Sequence, residues 1–452
     1  MGTTPITIED GTLQIGNGEI AGNHLYYSPI QITSGCNLEF KTCPGNTIST
    51  YLVYGAGGIN KLATEGKAII KRPWSSGKVS VQGGVLQLNR EIEPLYGDPS
   101  SYSVASGATL RFETDISRKF QTEVISGAGN VEFYIPTGKT IEIHKSQTYT
   151  GKTTITGGGD LHLIQDGWIQ GDIINYARHL VFKINAAKTF SKVISRTDSV
   201  HKYNSNALTL TGENTYEGET RIFDGRLVIG NEITGSISYS KRIFLDSPTS
   251  KLDFLPGYNT CLVRGEIETV AGSKIRCLCF WDTRTLHLAG GGSIDDFELS
   301  GRLWISTKNL YIAKLYMEGA LIFNNDNNFT FESVLSGSGS ITKYGTGKLD
   351  MHGTLLNNFS GNIEVAAGTL VVPAKLGDNN MKISDPNAIL RIETDKSGTQ
   401  PAYGWHYNGI ISGTGKVEFK GTGDGTGFFF ANNNTYTGST TVEKGYIGIG
   451  PG

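Results

Sequence analysis

The chain has 452 residues, 60 of them glycine and only 13 proline, and its 40 basic and 42 acidic side chains leave a net charge of −2. An apolar fraction of 38% with 10% aromatics is enough to bury a core, which excludes a disordered or collagen-like chain. The balanced charge argues against a generic binder of nucleic acid or of anionic membranes, and no run of 18 apolar residues exists to make a transmembrane helix.

Read from the N-terminus, Met1 to Ile6 lacks the basic and apolar stretches of a signal peptide, and Ile6 stands where a myristoylation signal needs Ser or Thr. A short pattern, Gly-x-(Leu/Ile)-x-(Leu/Ile/Val), then begins and returns along the whole length. It opens at Gly11, Gly84, Gly159, Gly225, Gly301, Gly368 and Gly445, a spacing of about 72 residues. Regular self-similarity of this kind marks a repeat architecture.

Further motifs fall between these glycines. Ser34-Gly35-Cys36-Asn37-Leu38-Glu39-Phe40 returns as Ser106 to Phe112, and Ile125-Ser126-Gly127-Ala128-Gly129 returns at Leu335 to Gly339 and Ile411 to Gly415. Gln147-Thr148-Tyr149-Thr150-Gly151 returns as Asn214 to Gly218, Asn357 to Gly361 and Asn434 to Gly438, which places Tyr149, Tyr216, Phe359 and Tyr436 at one repeat position. Neighbouring motif glycines stand about 20–24 residues apart, so each 72-residue unit divides into roughly three coils.

Within the coils, apolar and polar residues alternate, as in Leu110/Phe112, Val131/Phe133 and Leu370/Val372. Period two is the signal of a strand with one buried face, and Gly, Asn, Asp and Ser fill the gaps as turn residues. Only 175–194 and 311–323 offer any helical reading. A short strand cannot bury its face alone, but coils stacked on one another can. The predicted fold is therefore all-β: a right-handed parallel β-helix, or β-solenoid, of about nineteen turns at ~4.8 Å spacing, running over 1–452 as one continuous segment. A propeller fits poorly, because the period does not divide into 40–50-residue blades.

The string Asn-Thr-Tyr-x-Gly-x-Thr-x-(Val/Ile)-x-x-Gly-x-Leu-x-(Ile/Val)-Gly, which stands here as Asn214 to Gly230 and Asn434 to Gly450 with a near match at Asn357 to Val372, resembles the passenger-associated β-strand repeat of bacterial autotransporter proteins. The resemblance implies a right-handed β-helix that is secreted and displayed at the bacterial cell surface. Ile6 to Gly16 and the final Gly450-Pro451-Gly452 both fall inside the repeat, so the expectation is a segment of a longer surface protein.

Chemistry-bearing patterns are sparse. Asp295-Asp296 is the only Asp pair that would serve glycosidic cleavage, and Gly421-Thr422-Gly423-Asp424-Gly425 is a single fragment of a calcium nonapeptide that needs tandem copies. The eight histidines are scattered, so neither a metal nor a cofactor is expected. Cys36, Cys43, Cys261, Cys277 and Cys279 contain no Cys-x-x-Cys and read as free thiols, with pairing of Cys36 and Cys43 across a turn as the alternative. Recurrent corner Asn residues are expected to stack amide on amide. Insertions at 90–104 and 396–409 interrupt the repeat and carry Tyr96, Tyr102, Tyr403, Trp405, His406 and Tyr407, aromatic residues suited to gripping carbohydrate or a protein partner.

These features together predict a non-catalytic, extracellular, adhesin-like stalk whose partners are copies of itself, surface proteins or carbohydrate, with no nucleic acid and no insertion of this segment into the membrane. A carbohydrate-active β-helix enzyme or tailspike-like polysaccharide binder, and a subunit of an extracellular filament or coat, are the alternative readings.

Overall fold

The computed structural model describes residues 4–19, 22–90, 99, 101–196, 198–257, 260–278, 284–307, 309–375, 378–394 and 404–450. Parallel strands stack as a β-solenoid of about 20 turns, with no helix among the described residues. The two stretches with a helical reading are strands as well: His179–Ile184, Lys188–Phe190, Leu310–Met317 and Ala320–Asn324. The chain falls into two compact units, 1–208 with 212–220 and 209–211 with 221–452.

In the first unit, Val85–Arg90 lies parallel between Lys67–Ser75 and Thr109–Thr114, and the latter continues to Asn130–Ile135 and Thr153–Gly157. The register aligns Ile70, Leu88, Phe112, Phe133 and Ile155 in one inward column, all buried. Phe112 and Phe133 stack at 5.5 Å. The alternate positions Gln87, Arg111 and Glu132 share the other face, where Gln87 is buried and the half-buried Arg111 pairs with Glu132 at 3.3 Å. Strand period two therefore does the same work here as in an ordinary sheet: one column is apolar and sealed and its neighbour is polar.

The second unit repeats the arrangement. Leu286, Leu303, Leu321, Ile341, Ile363, Met381 and Ile411 occupy successive coils of one sheet and none is more than 1% exposed. Each such side chain contributes about 1.5–3 kcal/mol of burial. All seven ruler glycines immediately precede a strand. At Gly225 (φ +73°) and Gly368 (φ +67°) the backbone enters the left-handed region that favours glycine.

The corner amides depart from the expected amide-on-amide stack. The Gln147 side-chain oxygen accepts from the Ile125 backbone N–H (2.7 Å), that of Asn214 from Ile194 (2.9 Å) and that of Asn434 from Ile411 (2.6 Å). Each donor belongs to the preceding coil, so the side chain replaces a missing ladder hydrogen bond rather than pairing with its own kind. Cys36, Cys43, Cys261 and Cys277 are buried, and the strand Asn37–Phe40 separates Cys36 from Cys43. Cys279 lies outside the described residues.

Candidate functional site

The described aromatic residues of the two insertions differ in exposure. Tyr96 and Tyr403 lie outside the described residues. Tyr102, on the strand Ser101–Val104, is completely buried. Its ring meets Phe112 edge-on at 5.3 Å, and its hydroxyl accepts a hydrogen bond from Arg118 at 3.0 Å. Tyr407 is also fully buried, with its hydroxyl donating to the Asn379 carbonyl, and burial raises its pKa. Trp405 is half-buried on the same strand. His406 is exposed, stacked on Phe429 at 5.0 Å. Of the six aromatic candidates, only Trp405 and His406 reach solvent among the described residues.

The repeated aromatic position is internal in three of its four copies: Tyr149, Tyr216 and Phe359 are buried, and Tyr436 is half-buried. Each tyrosine hydroxyl meets the threonine four residues on, at 2.6 Å for Tyr149 and Thr153, 2.7 Å for Tyr216 and Thr220, and 2.5 Å for Tyr436 and Thr440.

Lys61, Lys202 and Lys343 are buried at strand ends and give their ammonium protons to main-chain carbonyls. Lys61 reaches Thr64 at 2.6 Å, Lys202 reaches Tyr203 at 2.8 Å, and Lys343 reaches Tyr344 and Gly345 at 2.6 and 2.7 Å. Burial lowers Lys61 and Lys343 from 10.5 to about 8. These lysines satisfy turn carbonyls and have no access to a ligand.

Asp295 and Asp296 both point outward on the strand Gly292–Leu299, between the buried Ile294 and Phe297. Asp295 accepts from the Gly272 backbone N–H at 2.9 Å, and Asp296 pairs with Lys274 at 3.6 Å. Both carboxylates serve neighbouring coils. Among the described residues, no group of three or more His, Cys, Asp or Glu side chains is placed to hold a metal ion.

A concavity lies in the second unit, at the corner where one sheet hands over to the next. The triplets Ser300-Gly301-Arg302, Glu318-Gly319-Ala320 and Ser338-Gly339-Ser340 lie on consecutive coils, because Arg302 stands beside Ala320 and Ala320 beside Ser340. The three glycines stack so closely that a β-carbon on Gly319 would overlap the Gly301 carbonyl oxygen, and one on Gly339 that of Gly319. A column without side chains leaves a trough of about 510 Å³. Glu318, Ser338, Arg302, Thr342, Tyr344 and Asn362 are among the residues that line it. Tyr316, exposed beside it, donates to Glu318 at 2.7 Å.

No residue of this trough stood out in the sequence as a site. Its Ser-Gly-Ser-Gly string at 336–339 reads as scaffold, and its only signal was that three small-residue corners fall on adjoining coils.

A family model described as passenger-associated-transport-repeat matches residues 201–229, 341–372 and 422–447. No curated protein and no solved structure matches the chain.

Proposed function

From a chain that carries the passenger-associated transport repeat on an autotransporter-passenger-like β-solenoid, we propose that it acts as a non-catalytic, adhesin-like segment displayed at the bacterial cell surface. The observation that carries this reading is the coincidence of the three repeat matches with regular coils whose corner side chains are bonded to main chain. Within the matches Asn214 and Asn434 cap main-chain donors of the preceding coil and Lys343 caps turn carbonyls; outside them, the outward Asp295 and Asp296 are engaged by Gly272 and Lys274. Such a chain extends and presents an outer surface, and its fixed side chains leave little with which to move protons.

The reading is tested in cells that express the gene. Antibody against the chain should label intact cells, and deletion should reduce attachment to host or abiotic surfaces without changing growth. Labelling only after lysis, or unchanged attachment, would overturn it. Release of product by the purified chain from a polysaccharide panel would overturn its non-catalytic part.

A further inference from the structure

The glycine-floored trough has a chemistry more specific than that of an ordinary flank. Its floor is backbone whose donors are already used between coils: Ala320 N–H bonds Gly301, Ser340 N–H bonds Gly319, and Ile341 N–H bonds Asn362. A peptide strand adding to a sheet needs unpaired main-chain groups, and this floor offers none of these three. The trough instead presents side-chain hydroxyls from Ser338, Ser340 and Thr342, the Asn362 amide, the Glu318 carboxylate and the Arg302 guanidinium. Only Ala320 and Ile322 are apolar in its lining, which disfavours an acyl chain. One carboxylate beside one guanidinium gives no net charge with which to hold a polyanion.

Donors and acceptors spaced along a shallow channel match the vicinal hydroxyls of a sugar, and a carboxylate is well suited to accept from two of them. The channel also has an aromatic flank. Tyr344 closes the strand Ser340–Tyr344 and is 46% exposed. Tyrosine offers a large apolar face at little conformational cost. The Tyr316 hydroxyl fixes Glu318 before any ligand arrives, which lowers the ordering cost of binding. From Gly301 to Gly339 the floor spans two coil spacings, about 10 Å, room for a short run of sugar rings rather than one.

We propose that this trough binds a neutral oligosaccharide along the solenoid flank, with Tyr344 as the stacking face and Glu318, Asn362 and the serine hydroxyls as partners of the sugar hydroxyls. The inference gives the adhesin-like reading a ligand class and rests on that reading for its biological meaning. The binding itself is measured separately, on the purified 452-residue chain.

The test is calorimetric titration with cellohexaose, mannohexaose and chitohexaose, and with an oligogalacturonate as the acidic probe. At least one neutral probe should bind saturably. Tyr344→Ala, which removes the stacking face, and Ser338→Trp, which fills the channel from an exposed position, should each weaken binding at least tenfold while the thermal transition stays in place. If either variant shifts that transition, Glu318→Gln supplies the comparison, since it keeps the shape and removes the charge. No binding of any neutral hexamer, affinity unchanged by the variants, or preference for the acidic probe would each overturn the proposal. Surface labelling and attachment that persist beside such a result would leave the adhesin-like reading standing and remove only this one.

Discussion

The phenol of Tyr149 and the hydroxyl of Thr153 lie 2.6 Å apart inside the first unit, joined across the tight glycine corner at Gly151. The same pair recurs at Tyr216 with Thr220 and at Tyr436 with Thr440. In the fourth copy the tyrosine is Phe359, and the position four residues on is Ile363. Donor and acceptor vanish together there, as the cost of burying an unmatched hydroxyl requires.

Tyr149→Phe should therefore destabilise the chain by about 1–3 kcal/mol, because the buried Thr153 loses this partner. Tyr149→Phe with Thr153→Ile reproduces the fourth copy and should recover most of that loss. Urea denaturation of the two variants decides it, and additive losses would refute the coupling.

Asp253 is entirely buried in the second unit between two arginines. Arg276 holds both of its oxygens, at 2.8 and 2.6 Å, and Arg226 approaches from the preceding coil. Asp253→Ala leaves two guanidinium groups facing each other without their counter-ion and should cost about 3–5 kcal/mol. A melting temperature unchanged within a degree or so would show that the triad contributes nothing.

Gly319 illustrates how closely the coils approach. A β-carbon there meets the main chain of the neighbouring coil, which cannot turn aside. Gly319→Ala should cost more than about 3 kcal/mol, at or above the usual range for overpacking. Gly138 has φ +74° but open space around it, so Gly138→Ala should cost only about 1–2 kcal/mol of left-handed strain. Chemical denaturation of the pair checks the order.

The buried lysines give the fold a pH dependence of definite sign. Lys61 and Lys343 release their protons at about 8 in the folded chain but keep them to about 10.5 when unfolded. Between those values the unfolded state binds more protons, so stability climbs as pH rises above about 8 and does not change on their account below it. The measurement belongs below about pH 9.5, before the tyrosines begin to ionise. Tyr149, Tyr216 and Tyr407 have raised pKa values and act in the opposite direction. Urea midpoints at pH 7.5 to 9.5 should rise less steeply in Lys61→Met and Lys343→Met than in the parent chain.

What the sequence determined by itself was the coil. Glycine at Gly225 or Gly368 followed by alternating apolar residues dictates a turn and then a strand with one buried face. The columns Leu286 to Ile411 and Ile70 to Ile155 are that alternation multiplied. The transport-repeat resemblance was legible for the same reason, since its motif is written within a single coil and its successor.

Tertiary structure alone decided which residues of different coils meet. Coil length is not constant: Arg302 stands beside Ala320, but Met381 beside Ile411. The number of residues spent in each loop sets the cross-coil register, and no local pattern records it. Tyr102 and Tyr407, aromatic residues of irregular segments, therefore read as surface candidates until their strands proved to turn them inward. The Arg226–Asp253–Arg276 triad was invisible for that reason, and so was the trough. Three modest Ser-Gly or Glu-Gly corners become a channel only when stacking brings them level, because its shape comes from side chains that glycine lacks and from coils that chain connectivity places side by side.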